Sequence, residues 1–358
     1  MRRLLAVTVA LLLLPTAAWT WSSPGHQAIA EVAQARLSPT TQAALAQIIQ
    51  GTNVLAPGAL ASVATWPDDI RQRAATGTIA AGWNAADMQE ADRFNSDHPT
   101  NASWHFVNLP LGATGYPASD PPSGDPMRAF VGPDDIVHAL ARVIVILETP
   151  TPPADFSKRQ AVRWLVHLVG DLHQPLHVTT GYYNPNAAHF ATKPVRIDAP
   201  AAAAVGGVLG DRGANGLLFS VSESNNLHAV WDRCLPGMVA GATCSSPGQE
   251  FTALAHVLTQ KVTPAAIAAA ATPGDHHTWA VAWATESLQQ AVASHAYPGS
   301  LKNGKTKINA HTGEQSVLAT IASPTKTAYT QAHEATASDQ LVRASVRLAD
   351  LLNAIAWQ

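Results

Sequence analysis

The sequence predicts an all-α protein, a single mainly helical domain with at most a small β-hairpin. Three observations carry that expectation. Apolar residues make up 47% of the 358-residue chain, charged ones only 13%, and alanine is abundant, which suits helices packed around a sizeable core. Long runs repeat apolar residues at the three- and four-residue intervals of one helix face. Only a short stretch, LLFSV at 217–221, has the character of a strand.

Taken in order, residues 27–50 read as helix, divided by a Ser38-Pro39 start. Pro67-Asp68-Asp69 opens another, with proline in the first turn and acids against the positive end of the helix dipole. Residues 112–133 are dense in Pro, Gly, Ser and Asp and are expected to form an irregular loop. Residues 134–147 form the next helix, ended by Thr149-Pro-Thr-Pro-Pro153. A helix through His167 follows, capped by Asp155 or Ser157. Residues 182–224 are the least helical, and the 217–221 run would supply one strand of a small hairpin. Ser338 caps a last amphipathic helix whose stripe is Leu341, Ala344, Leu348, Leu352 and Ile355. No repeat and no long linker interrupts the chain, so residues 21–358 read as one domain.

Residues 1–20 read as a secretory signal peptide, with Arg2 and Arg3 as the charged start and Leu4 to Leu14 as the apolar core. That core is too short to span a bilayer. The mature protein is therefore expected to be secreted or periplasmic, without stable membrane association. Cys234 and Cys244 are the only cysteines. In an oxidising compartment they are expected to close a local disulfide, with free core thiols as the alternative. The formal net charge of −3 excludes a broad basic surface, so a polyanionic substrate would need to be held mainly by something other than a Lys/Arg patch.

The chemistry concentrates in one stretch. His167 and Asp171 are four apart, which stacks them on one helix face. Pro175 then stops the helix and lets the chain bring His177 back toward the same point. Two imidazoles and a carboxylate are ligand types that zinc prefers. His228 and Asp232 repeat the pairing on apolar helical spacing.

Further pieces complete the pattern: Trp21-Ser-Ser-Pro-Gly-His26, then Trp66-Pro-Asp68-Asp-Ile-Arg71, then Trp104-His105-Phe106. In this order the set closely resembles the zinc-dependent, single-strand-specific nucleases, comprising the fungal type I nucleases and their plant bifunctional and bacterial relatives. The resemblance spans residues 21–232. It implies the mainly helical fold shared with zinc phospholipase C, and three zinc ions per chain. One would take Asp68, His105, His167 and Asp171; a second His177, His228 and Asp232; the third His26, Asp171 and the α-amine and carbonyl oxygen of Trp21. The implied reaction is hydrolysis of single-stranded DNA and RNA, and of 3′-nucleotides, by a hydroxide held between zincs, leaving 5′-phosphates. Asp68, Arg71 and Asp171 would be catalytic, with Arg71 on the phosphate, and no obligate protein partner is implied. Phe106 would stack a base, with an ordinary core phenylalanine as the alternative, and Asn108 would contact the base edge.

Some residues depart from the family pattern. Relatives often have aspartate where this chain has Asn108, which alters the hydrogen bonds offered to a base. Gly210-Asp-Arg-Gly-Ala-Asn215 resembles a family loop with one glycine replaced by Ala214, and no role is carried over to it. The interval from Asp68 to His105 is longer than in fungal relatives, and with the 112–133 loop it is expected to reshape the groove. His173, His276 and His277 read as solvated or helix-packed. The Asn101-Ala-Ser103 sequon is expected to be unused. The alternative is a zinc phospholipase C, but its Trp-to-His gap is longer than the one here and its last ligand is glutamate where this chain has Asp232. A non-enzymatic zinc binder would have no need of Arg71.

Overall fold

The structure, a computed structural model, describes residues 21–358 other than 50, 53, 79, 81, 221, 223, 224, 245–250, 310 and 311. The expected leader, 1–20, lies outside the described residues. The helix Lys158–Leu172 is the centre of the fold, and every residue from Ala161 to Leu172 is buried. A helix covered on all sides must be wrapped by others, and it is. Ser23–Gln34, Trp66–Thr76, Ile136–Glu148, Trp279–Ala293 and Lys326–Ala354 all pack against it. Its start is set by Ser157, not Asp155: Ser157 accepts from the Gln160 amide in a reciprocal capping box. An aromatic wall of Phe94, Trp104, Phe156 and Trp164, with ring centroids 4.9–6.0 Å apart, fills the space beside it.

The mainly helical reading holds, but the described strands form three small sheets rather than at most one hairpin, and two elements lie elsewhere than expected. The hairpin is not at 217–221. It is formed by Ser300–Ile308 and Gln315–Ser323, and Leu217–Leu218 adds to the second strand in parallel. Val317, Ala319 and Ile321 alternate onto its buried face. Residue 221 itself is outside the described residues. The last helix also starts earlier than Ser338. It runs Lys326–Ala354, capped by Thr325, which accepts from the Ala328 amide. Its buried stripe continues toward the N-terminus through Ala337, His333 and Tyr329, and the two polar or aromatic steps conceal it in an apolar count. The cysteines pair as expected, Cys234 with Cys244.

Two short parallel strands, Leu109–Pro110 and Thr179–Thr180, bind the segment after His105 to the segment after His177, and the Val107 amide donates to the His177 carbonyl at 2.8 Å. Among the described residues no helix is long and apolar enough to cross a membrane.

Candidate metal centre

Each of the eight metal-type side chains is buried: His26, Asp68, His105, His167, Asp171, His177, His228 and Asp232. Helix geometry places most of them. Trp66–Thr76 carries Asp68 in its first turn, and Lys158–Leu172 carries His167 and Asp171 one turn apart. Pro175 opens the short helix Pro175–Val178 that returns His177. His228 lies on Leu227–Ala229 and Asp232 on the π-helical turn Val230–Cys234 that continues it. Single π-turns of this kind are frequent at functional sites.

The ligand-type atoms form closed groups. His167 Nε2 lies 3.1 Å from Asp171 Oδ2 and 3.8 Å from Asp68 Oδ1. His105 Nδ1 lies 3.0 Å from Asp171 Oδ2, 3.9 Å from Asp68 Oδ1 and 3.0 Å from His167 Nε2. His177 Nε2, His228 Nε2 and the Asp232 carboxylate are 3.1–3.8 Å apart. His26 Nε2 is 3.2 Å from Asp171 Oδ1, so Asp171 faces two groups, one with each oxygen. Trp21 is fully buried next to them, and the following Ser22 amide donates to the Asp232 carbonyl at 2.8 Å.

Backbone carbonyls orient the rings. Nδ1 of His167, His177 and His228 donates to the carbonyls of Ala64, His105 and Gly213 at 2.8, 2.8 and 2.6 Å, which turns each Nε2 toward the group. Gln174 was not foreseen. It is fully buried and its Nε2 donates to Asp232 Oδ1 at 2.8 Å, while its Oε1 accepts from the Leu176 amide. Its place inside the His167–His177 run was the available signal.

Asp171 Oδ1 and Asp232 Oδ2 are buried and accept no hydrogen bond of good geometry, with only His26 Nε2 at 3.2 Å and His228 Nε2 at 3.3 Å beside them, an expensive state for a carboxylate unless a cation satisfies it. Burial opposes ionisation of Asp171, but the facing His167 and His177 hold its carboxyl well below the ordinary range. Burial likewise opposes protonation of His167, yet Asp171 and Asp68 lift it to about 9. Burial carries His105 down to about 4. A centre with ionised carboxylates, oriented nitrogens and unfilled oxygens fits divalent metal.

An open cleft leads to the group, lined by Arg71, Phe106, Asn108, Leu176, His177, Arg212, Gly213, Asn215, His228 and Glu314. Arg71, Phe106 and Asn108 are brought together as expected. Arg73 next to Arg71 is paired with Asp92 at 2.6 Å, whereas Arg71 carries no ion pair among the described residues. Arg212, Asn215 and Glu314 join the lining without a sequence signal: the 210–215 loop takes no role from the family pattern, and Glu314 reaches the cleft only through the hairpin. The loop is held by Asp211, whose Oδ1 accepts from the Gly181 and Ala214 amides. Gly213 has φ +61 and a Cβ there would lie 2.5 Å from the Leu176 carbonyl, so the carbonyl that orients His228 depends on glycine.

Beyond Arg71, no described residue of the long interval from Asp68 to His105 lines the cleft. The interval forms the helix Ala85–Asp97, which packs on Trp66–Thr76, and no residue of 112–133 lines the cleft either. His173 points away from the centre: Nδ1 donates to the Val169 carbonyl and Nε2 accepts from Arg347 Nη1 at 3.1 Å. Asn101 is buried and donates to Asn95 Oδ1 and the His98 carbonyl, which leaves no exposed amide for a glycan.

The S1/P1 nuclease family model matches residues 21–357. Nuclease S1 of Aspergillus oryzae is 23% identical over 263 residues, 73% of this chain and 69% of that protein. Endonuclease 4 of Arabidopsis thaliana is 24% identical over 66% of this chain and 62% of its own length. Nuclease P1 of Penicillium citrinum is 28% identical over 44% of this chain and 47% of its own length, so that match spans about half of the relative.

Proposed function

Because the chain belongs to the S1/P1 nuclease family and is an enzyme that hydrolyses nucleic acid, we propose that it is a secreted, zinc-dependent phosphodiesterase. It cleaves single-stranded DNA and RNA to 5′-phosphate products and also acts on 3′-nucleotides. The observation that supports this most is the set of ligand-atom separations, 3.0–3.9 Å among Asp68, His105, His167 and Asp171. Donors around a tetrahedral zinc with bonds of 2.0–2.1 Å are roughly 3.3 Å apart.

Asp68, His105, His167 and Asp171 would hold one zinc, and His177, His228 and Asp232 a second. His26 and Asp171, with the α-amine and carbonyl oxygen of Trp21, would hold a third. When bound, the ions supply Lewis acidity and a water acidic enough to ionise near neutral pH.

The chain's own residues position the substrate. Arg71 offers a guanidinium fork to two phosphate oxygens. Phe106, half-buried in the cleft lining, stacks a base, and only an unpaired base can present its face, which favours single strands. Thr180 Oγ1 donates to Asn108 Oδ1 at 2.7 Å, so Asn108 offers a base edge its amide protons. Asp68 and Asp171 supply the negative charge that would hold metal at the centre. Secretion rests on the 1–20 leader, and the family match begins at 21, where that leader is expected to end.

The test is incubation of the purified mature protein with single-stranded DNA, duplex DNA, RNA, a 3′-nucleotide and phosphatidylcholine, with and without a zinc chelator. Chelator-sensitive cleavage of single strands leaving 5′-phosphates is expected. Phosphocholine release with intact single strands would overturn the proposal in favour of a phospholipase.

A further inference from the structure

Away from the cleft, three side chains converge on one point. Glu148 ends the helix Ile136–Glu148, and His276 and His277 open the 3₁₀ turn His276–Thr278 that leads into Trp279–Ala293. His276 Nε2 lies 2.8 Å from Glu148 Oε1, and His277 Nε2 lies 3.0 Å from Glu148 Oε2. The two imidazoles are 4.3 Å apart, and one donor atom from each of the three residues falls within 4.8 Å of the others. A 3₁₀ turn sends successive side chains about 120° apart. Two neighbouring histidines that aim at one carboxylate are therefore not a product of the turn alone.

The cluster is separate from the nuclease centre. The Ile136 amide, at the other end of the helix, donates to the Phe106 carbonyl beside the cleft. Twelve residues at 1.5 Å each put Glu148 about 18 Å further along. The side chains of Glu148 and His276 are 17% and 18% exposed and that of His277 43%, so one side is covered and the other is open to an entering ion. The same Glu148 Oε1 accepts from the Ala356 amide at 3.1 Å.

We propose that Glu148, His276 and His277 form an accessory metal site for a divalent ion of the zinc class, with two imidazole nitrogens and one carboxylate as protein ligands and water in the remaining position. Its role is structural. The ion ties the end of Ile136–Glu148 to the turn before Trp279–Ala293, and through the shared carboxylate it secures the C-terminal tail near Ala356.

The experiment equilibrates the holoenzyme and its H276A/H277A and H277A variants against buffered micromolar zinc, then measures zinc per chain, melting temperature and single-strand cleavage. The variants are expected to carry one fewer zinc per chain, to show a smaller melting-temperature rise with micromolar zinc than the native protein, and to cleave at the native rate. H277A alters the most exposed ligand and carries the test if the double variant does not fold. Equal zinc content in native and variant protein, or filling only at millimolar zinc, would overturn the site and leave two ordinary ion pairs. Cleavage lost in parallel with the zinc would also overturn it, since the missing ion would then belong to the nuclease centre.

Discussion

The imidazole of His26 lies flat on that of His167, with ring centroids 3.9 Å apart and planes 16° from parallel. The contact exists because Gly170, one turn along the same helix as His167, has no side chain. A Cβ at Gly170 would lie 2.6 Å from His26 Nδ1 and 2.9 Å from its Cε1. The helix Ser23–Gln34 can therefore approach closely enough for His26 to share Asp171 with the other ligands.

Gly170→Ala reads this relationship through its sign. In an ordinary helix interior the change stabilises by up to about 1 kcal/mol. Here it must displace His26, so we expect a lower melting temperature, loss of bound zinc and cleavage reduced roughly 10–100-fold, as when a ligand's support is removed. A stabilised variant with its full metal content would show that the close approach is not needed.

Asp171 and His173 are two residues apart but face opposite ways, and their substitutions should separate activity from stability. Asp171→Asn removes a charge and a shared oxygen from the centre, so cleavage should fall by orders of magnitude with loss of zinc. His173→Ala leaves Arg347 Nη1 buried without its partner, at about 1–3 kcal/mol of stability, with the cleavage rate little changed. Comparable losses of activity in the two variants would show that the helix face is wrongly assigned.

Gln174 makes a sharper test of orientation. Gln174→Leu keeps the volume but withdraws the donor from Asp232 Oδ1. Metal affinity at the His177, His228 and Asp232 group should weaken by roughly 10–100-fold. Unchanged zinc titration would mean that Gln174 only fills space.

How much of this was legible follows from the range of each interaction. His167 with Asp171, and His228 with Asp232, are readable because helix periodicity is local, and Pro175 announces its own turn. The capping residue Thr325 was missed because His333 and Thr330 interrupt the apolar stripe that Tyr329 and Ala337 continue. The hairpin was missed because Lys302, Lys305 and Lys307 hide the alternation of Ser300–Ile308, whose partner strand carries the apolar face. Arg212 and Glu314 enter the cleft through contacts between distant segments, and the orienting carbonyls of Ala64, His105 and Gly213 carry no side-chain signal at all.

Metal loading and pH should be linked in opposite senses for the apo and holo protein. In the metal-free fold His167 is raised to about 9 from 6.5, its carboxylate neighbours Asp171 and Asp68 outweighing burial. A raised folded pKa contributes stability that is complete below 6.5 and lost as pH rises through about 9. Zinc requires the neutral ring, so below that pH each unit of acidification weakens binding by up to about tenfold from this ring alone. Chelated protein should lose stability between pH 6.5 and 9 while the gap in melting temperature between zinc-loaded and chelated samples widens. A gap that is constant with pH would remove His167 from the ligand set, and no gap at all would remove the metal centre.

The last expectation is that processing completes the site. Trp21 is fully buried, and the Ser22 amide fastens it to the carbonyl of the ligand Asp232, so its main chain is held beside the groups that His26 and Asp171 join. Only a chain cut between Thr20 and Trp21 offers an α-amine there. Such an amine has a pKa of roughly 7.7–8 and gives up its proton to zinc near neutral pH, which a peptide nitrogen does not. N-terminal sequencing of the exported protein should therefore begin at Trp21. A form with Met or a tag before Trp21 should bind one fewer zinc than the processed form and lose most of its activity. Full activity and the same zinc content as the processed form would make Trp21 a core aromatic and nothing more.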